Sequence, residues 1–354
     1  MLWHICSTSP TFRRGADFWY GLLTTRMGLA ATRLSIAHNS LWGRLLLVVQ
    51  LAVLVCGLPA RSSDSDVPSA LPVAEDEPIT PIPQPPAADP LKVKLGELLF
   101  NDPKLSRDGT RACVSCHDTQ ANGAKPPGRA LAHDGPESAF DTVSVFNAPL
   151  SFRLNWEGNF RTLEAHTLSS LESPGGLQSP VNDIVSKLAA DTGIESQFVA
   201  AYGHYPDPPS LLDAFTTYER SLLTPGSRFD LWLEGDTTAL SAQELAGYQL
   251  FKSYGCVSCH QGMNLGGNLF ERQGIFHPLV LRKPEFVRVP SLRNVAATAP
   301  YFHDGSAATL EEAVRKMAFA QLNRTMSEHD IAAITAFLRT LTGNYRGHRV
   351  GEPP

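Results

Sequence analysis

The chain has 354 residues, enough for two domains behind a leader. Its 43% hydrophobic and 18% charged residues exclude a disordered or fibrous protein, and a net charge of -5 gives no footing for nucleic acid as a partner. Of six cysteines, Cys6 and Cys56 fall near the amino terminus and the other four form two close pairs, so the folded body is expected to lack disulfides.

The apolar run LLLVVQLAVLV, Leu45 to Val55, follows Arg33 and Arg44 and precedes the small residues Gly57 and Ala60. It is short for a membrane span and predicts a secretory signal over residues 1–60, hence a periplasmic protein, with a retained membrane anchor as the alternative. Initiation at Met27 would give a leader of more usual length. Cys56 invites a lipoprotein reading, which Val55 disfavours. Residues 61–88 are rich in Pro, Ser, Asp and Glu and predict a disordered tether.

Folding is predicted to begin at Asp89-Pro90, a helix cap with Pro at the first helical position. Leu91, Leu95, Leu98 and Leu99 recur at helical spacing up to about Phe100. Then comes Cys113-Val114-Ser115-Cys116-His117, and the same five residues return as Cys256-Val257-Ser258-Cys259-His260. C-x-x-C-H is the attachment signature of c-type haem: the thiols reach the two vinyl groups of one porphyrin, and the His lies under the iron as its proximal ligand. A redox dithiol or a four-cysteine zinc site would use the cysteines but leave both histidines without a role.

Residues 210–223 predict a helix, ended by Thr224-Pro225-Gly226-Ser227, where the first domain (89–226) gives way to the second (227–345). Ser241 with Glu244 predicts a capping box opening the helix before the second motif. A Leu-Phe pair ends the approach to both motifs, at Leu99-Phe100 and Leu250-Phe251, which points to duplication. Met263 to Pro290 reads as Gly-rich loop. Thr309 with Glu312 predicts a second capping box over a helix from Leu310 to Ala320. A last helix from Ser327 to Leu341 stops at Gly343 and is a candidate to pack back on the first domain; residues 346–354 are expected to be a mobile tail.

The stretches LGELLFNDPKLSRDGTRACVSCHD, NWEGNFRTLEAH, GYQLFKSYGCVSCHQG, VPSLRNVAATAPYFHDGSAATLEEAVRKM and AFLRTLTG, in this order and spacing, resemble the bacterial di-haem cytochrome c peroxidases and their MauG-type relatives over roughly residues 90–345. The resemblance implies a mostly α fold of two cytochrome c-like domains, each around one covalently bound c-type haem, with calcium at their junction. It implies an enzyme that reduces hydrogen peroxide to water with electrons from a small reduced cytochrome c or a cupredoxin, and it is compatible with a homodimer. The alternatives are a MauG-like enzyme oxidising a side chain of a partner protein, and a non-catalytic two-haem electron carrier.

By the same resemblance, His133 is the sixth ligand of the first, peroxidatic haem at rest. Trp156 relays electrons between haems, Met317 is the sixth ligand of the second, electron-transfer haem, and Asp141 with Thr298 and Pro300 holds calcium. Met263 and Met326 are weaker candidates for the Met317 role, and His303 reads as structural. One departure stands out. The family carries Gln where this chain has His166, and Glu in a Pro-Gly-Glu segment where this chain has Pro174-Gly175-Gly176. His166 is therefore the candidate proton carrier, its ordinary pKa lying near neutrality; it could also ligate the iron in place of His133. Glu172 could serve only from a shifted loop.

Overall fold

The computed structural model describes residues 77–124, 140–280 and 284–352, all within one compact unit spanning Val67–Pro354; the leader, with Cys6 and Cys56, and the segment with His133 lie outside the described residues. The α-helices are α1 Pro90–Asn101, α2 Leu163–Glu172, α3 Val181–Ala189, α4 Thr192–Tyr202, α5 Pro208–Ser221, α6 Arg228–Leu233, α7 Ala242–Ser253, α8 Leu310–Leu322 and α9 Glu328–Arg339. Two short hairpins, β1 Phe270–Arg272 with β2 Phe286–Arg288, and β3 Asn344–Tyr345 with β4 His348–Arg349, and several 3₁₀ turns accompany them.

Helix starts follow the capping residues. The Asp89 carboxylate accepts from the Leu91 N–H at 2.8 Å ahead of Pro90, and Ser241 and Glu244 form a reciprocal box. At α8 the box is incomplete: Thr309 accepts from the Glu312 N–H, but the Glu312 carboxylate reaches back to the Ala308 N–H instead.

Two apolar cores form. In the first, Leu95, Leu99 and Phe100 of α1 meet Leu211, Phe215 and Tyr218 of α5, with Phe198 of α4. In the second, Phe229, Tyr248, Phe251 and Phe337 pack ring to ring, with centroids 4.9 to 5.3 Å apart. The halves share a helix crossing. A Cβ on Gly96 of α1 would lie 2.1 Å from the Ala214 carbonyl of α5, and one on Gly247 of α7 would lie 1.9 Å from the Ala333 carbonyl of α9. Only glycine lets the backbones approach so closely. In each half this helix leads into the cysteine motif, so the duplication extends well beyond five residues.

Several expectations need correction. Residues 77–88, expected to be disordered, form an extended ordered strap at least over 77–82. Ile79 and Ile82 are buried, and Glu77 accepts from the Tyr248 hydroxyl and from Lys252 Nζ at 3.0 Å. The Thr80 carbonyl and the Ile82 N–H bind Arg293 and Asp230. Two buried isoleucines, Ile79 within the second core, outweigh a composition that otherwise reads as coil. The last helix, α9, packs on α7 and α8 of its own half, because its buried Ile331, Ile334, Phe337 and Leu338 belong to that core. It is the segment after α9 that returns to the first half. Val350 is 5% exposed in the first core, Tyr345 lies against Phe146 at 5.0 Å, and Arg346 forms a two-pronged ion pair with Glu97. The tail is thus ordered through these residues. The amino-terminal strap clasps the second core and the carboxy-terminal tail clasps the first.

Candidate functional site

Each cysteine motif folds as a single 3₁₀ turn, Cys113–Ser115 and Cys256–Ser258. The Cys113 carbonyl accepts from the Cys116 and His117 N–H groups at 3.1 and 2.9 Å, and the Cys256 carbonyl accepts from Cys259 and His260 at 3.2 and 3.0 Å. Each imidazole is then oriented by a carbonyl a few residues on. His117 Nδ1 lies 3.3 Å from the Gly123 carbonyl, and His260 Nδ1 lies 3.1 Å from that of Leu265. Such a bond fixes the proton on Nδ1 and leaves Nε2 with a free lone pair, the tautomer a metal requires. Burial pulls both imidazoles down to about 4, so they are neutral and ready to ligate at pH 7.

The thiols do not suit the redox reading. Burial pushes Cys113 up to about 12, with the charge of Glu219 adding to it, and pushes Cys256 up to about 11. Reactive dithiols have depressed values. Nor do the pairs converge: among the described residues no cluster of three or more His, Cys, Asp or Glu side chains could hold a metal ion. What they line is space. Both motifs open on one cavity of about 520 Å³, whose walls include Cys113, Cys116 and His117 from one half and Cys256, His260 and Met317 from the other. The residues fit two c-haems: paired thiols, an imidazole aimed by its own backbone, and apolar walls from Phe146, Leu171, Ile334 and Leu338.

Trp156 lines this cavity and joins its parts. Its Nε1 donates to the Asp141 carbonyl at 2.8 Å, its ring packs near Phe140 and His303, and its carbonyl accepts from the Arg288 N–H of β2 at 2.8 Å. His303 is 1% exposed and its carbonyl accepts from the Asp141 N–H. Asp141, Thr298 and Pro300 all reach the same wall, and a Cβ on Gly305 would touch both an Asp141 carboxylate oxygen at 2.7 Å and Pro300 at 3.1 Å. Met317 and Met326 both line the cavity, while Met263 is 39% exposed and does not.

The profile described as di-haem cytochrome c peroxidase matches residues 90–238, and that described as cytochrome c matches residues 245–342. The chain is 35% identical to the cytochrome c551 peroxidase of Nitrosomonas europaea, covering 77% of this chain and 86% of that protein. The chain belongs to the di-haem cytochrome c peroxidase family. It is also 36% identical to the cytochrome c peroxidase Ccp of Escherichia coli, over 77% of this chain and 63% of that one. Among solved structures it resembles a MauG-like protein associated with microbial copper homeostasis, with a TM-score of 0.63 and 25% identity over 74% of this chain and 93% of that one.

As a di-haem peroxidase the chain carries c-type haems. Gly176 lies flat on α2: a Cβ there would stand 1.8 Å from the Ser170 carbonyl, and the Leu177 N–H donates to that same carbonyl at 2.9 Å. This loop cannot carry a Glu at that point. Glu172 is no substitute, being exposed and capping α3 through the Val181 N–H at 3.2 Å. His166 does line the cavity, on the α2 face that also presents Leu163, Thr167, Ser170 and Leu171. Burial, and next the charge of Arg288, hold its pKa below the ordinary value, so it is a neutral base.

Two residues of this pocket escaped the sequence reading. Arg288 is 4% exposed and donates through Nε to the Asn155 carbonyl at 2.9 Å; desolvation pulls it down to about 10, and no carboxylate pairs with it among the described residues. Glu219 lines the cavity from α5, receives a hydrogen bond from the Thr167 hydroxyl, and is pushed by burial up to about 8. The legible signal for Glu219 was its spacing, one turn beyond Phe215 and three residues before Leu222, on the core-facing stripe of α5.

Proposed function

We propose that this protein is a di-haem cytochrome c peroxidase that reduces hydrogen peroxide to water with electrons from a small reduced cytochrome c or a cupredoxin. One observation carries the reading: two C-x-x-C-H turns, each with its His aimed through Nδ1 by a backbone carbonyl, open on a single cavity with Trp156 in its wall. The bound haems would supply the redox chemistry.

The chain's own residues would then divide the work. Cys113 and Cys116 attach the first haem and His117 ligates it; Cys256, Cys259 and His260 do the same for the second. Met317 would be a further protein ligand for the second haem, and His133 for the first in the resting protein. Trp156 relays electrons from second to first. His166 accepts the peroxide proton. Asp141, with the Thr298 and Pro300 carbonyls, binds calcium, for which hard oxygen ligands are suited. The leader exports the chain to the periplasm, the residue spans 89–226 and 227–345 act as peroxidatic and electron-transfer domains, and two copies pair as a homodimer. The test is steady-state turnover of peroxide with a reduced cytochrome c, using half-reduced, calcium-loaded holoprotein. Turnover supports the peroxidase. Its absence, with oxidised side chains on a co-purified protein, supports the MauG-type reading instead.

A further inference from the structure

The peroxidase reading leaves one chemical requirement unassigned. Reduction of hydrogen peroxide takes up two electrons and two protons and releases two waters. His166, neutral at pH 7, can take the proton already on peroxide and return it, but it brings none of its own. The loop at Gly176 has no room for an acid, and Glu172 caps α3 away from the cavity.

The duplication shows where an acid has entered instead. The two glycine crossings put α5 and α9 in register: Ala214 matches Ala333, since each carbonyl faces the crossing glycine, and Tyr218 matches Phe337, since each Cβ is the nearest side-chain atom that glycine would meet. The following residue is Leu338 in the second half and Glu219 in the first, and both line the cavity. Leu338 is 4% exposed and belongs to the second core. A carboxyl therefore occupies, in the first half only, the wall position the second half fills with an apolar side chain. Burying a carboxyl there is costly unless it is protonated or paired. Among the described residues it has no ion-pair partner: its bonded partner is the Thr167 hydroxyl, at 3.1 and 3.2 Å, next to His166 on α2. The neighbouring Arg220 is bound to Glu164 of α2.

We propose that Glu219 is the acid of the first haem pocket, delivered from α5 in place of the one the 174–177 loop cannot carry, and that its proton reaches bound peroxide by way of the Thr167 hydroxyl. In each turnover Glu219 would supply one of the two protons taken up and solvent the other, which with the two donor electrons converts hydrogen peroxide to two waters; the proton that His166 passes between the peroxide oxygens is additional to these. The carboxylate left behind regains a proton from solvent, while the two electrons come from the donor cytochrome. The charged groups acting on Glu219 are Arg220 on its own helix, which favours the carboxylate, and Glu164 on α2, which opposes it; burial outweighs both and keeps the acid protonated at pH 7. On α1 and α3, also packed against α5, Lys92 and Glu97 are engaged with Asp213 and Arg346, and Lys187 with the Lys104 and Ser106 carbonyls.

The test uses holoprotein with both haems attached, and it reads both the carboxyl and the reaction. Infrared difference spectra of wild type, taken on reduction or peroxide addition, should contain the C=O stretch of a protonated carboxylic acid that Glu219→Gln removes. The wild-type reaction with peroxide should slow as pH rises through about 8, the alkaline limb set by loss of this proton. Glu219→Gln should lose that limb together with about tenfold or more of the rate. Should Glu219→Gln fail to take up haem, Thr167→Val decides, because it removes the relaying hydroxyl and should cost the rate and the alkaline limb as Glu219→Gln does. A wild-type rate and limb in either variant overturns the proposal. Holoprotein inert to peroxide at every pH would overturn the peroxidase reading instead, and the infrared band would still report on the carboxyl.

Discussion

Gly96 and Gly247 hold the same place in the two halves: each lets the helix before its cysteine motif lie directly on a carbonyl of the partner helix, Ala214 and Ala333 respectively. In the second half α7 ends only two residues before Cys256, while in the first a 3₁₀ turn, Pro103–Leu105, and a loop separate α1 from Cys113.

Replacement of either glycine by Ala reverses the usual helix preference. In an exposed helix Gly→Ala gains up to about 1 kcal/mol. Here the new methyl meets a backbone oxygen at 2.1 or 1.9 Å, and overpacking costs about 1–3 kcal/mol. Gly96→Ala and Gly247→Ala should both lower the denaturation midpoint of the holoprotein, whereas Gly175→Ala, with open space around its Cβ, should not.

Haem attachment separates into halves as the motifs do. Denatured wild-type protein should retain two haems through acid-acetone extraction, and Cys256→Ala with Cys259→Ala should retain one. A periplasmic preparation from a haem-competent host that carries no covalent haem would remove the basis for every site assignment above.

Much of this was legible in the sequence because it rests on local chemistry. The caps at Asp89, Ser241 and Ser327 and the doubled C-V-S-C-H are short-range signals, and the helices and turns form where those signals stand. What the sequence concealed depends on contacts distant along the chain. The strap at Ile79 and Ile82 has the composition of coil until the second core covers it. Val350 marks an ordered tail only once the first core is seen to accept it. Glu219 was hidden because its neighbours in sequence are apolar or paired, while the groups that give it meaning, Thr167 and the cavity, come from elsewhere.

The methionine ligand can be resolved between two residues. Met317 of α8 and Met326 both line the cavity. Met326 is 8% exposed and counts among the second core. Met317→Leu should abolish the sulfur-to-iron charge-transfer band and lower the potential of one haem, because thioether ligation raises it. Met326→Leu, close in volume, should leave the band intact and cost less than about 1.5 kcal/mol of stability. A band that survives in Met317→Leu and disappears in Met326→Leu exchanges the two roles.

The acid side of the pH profile belongs to His166 and Arg288. A base acts only when unprotonated, so the rate falls as pH drops through the folded-state pKa of His166. That pKa is lowered, first by burial and second by the positive charge of Arg288, so the rate should persist below the ordinary imidazole range before it falls. Arg288→Met removes the charge while keeping an unbranched chain on β2. The pKa of His166 must then rise, and the acid limb must move to higher pH. His166→Ala should cost about tenfold or more in the peroxide reaction, with both haems still attached, and should erase the acid limb altogether. Stopped-flow rates of half-reduced holoprotein across pH measure all three proteins alike. If the limb stays in place in Arg288→Met and survives in His166→Ala, the titrating base is another group, and the imidazole on α2 serves only to pack against Phe160, 5.3 Å away.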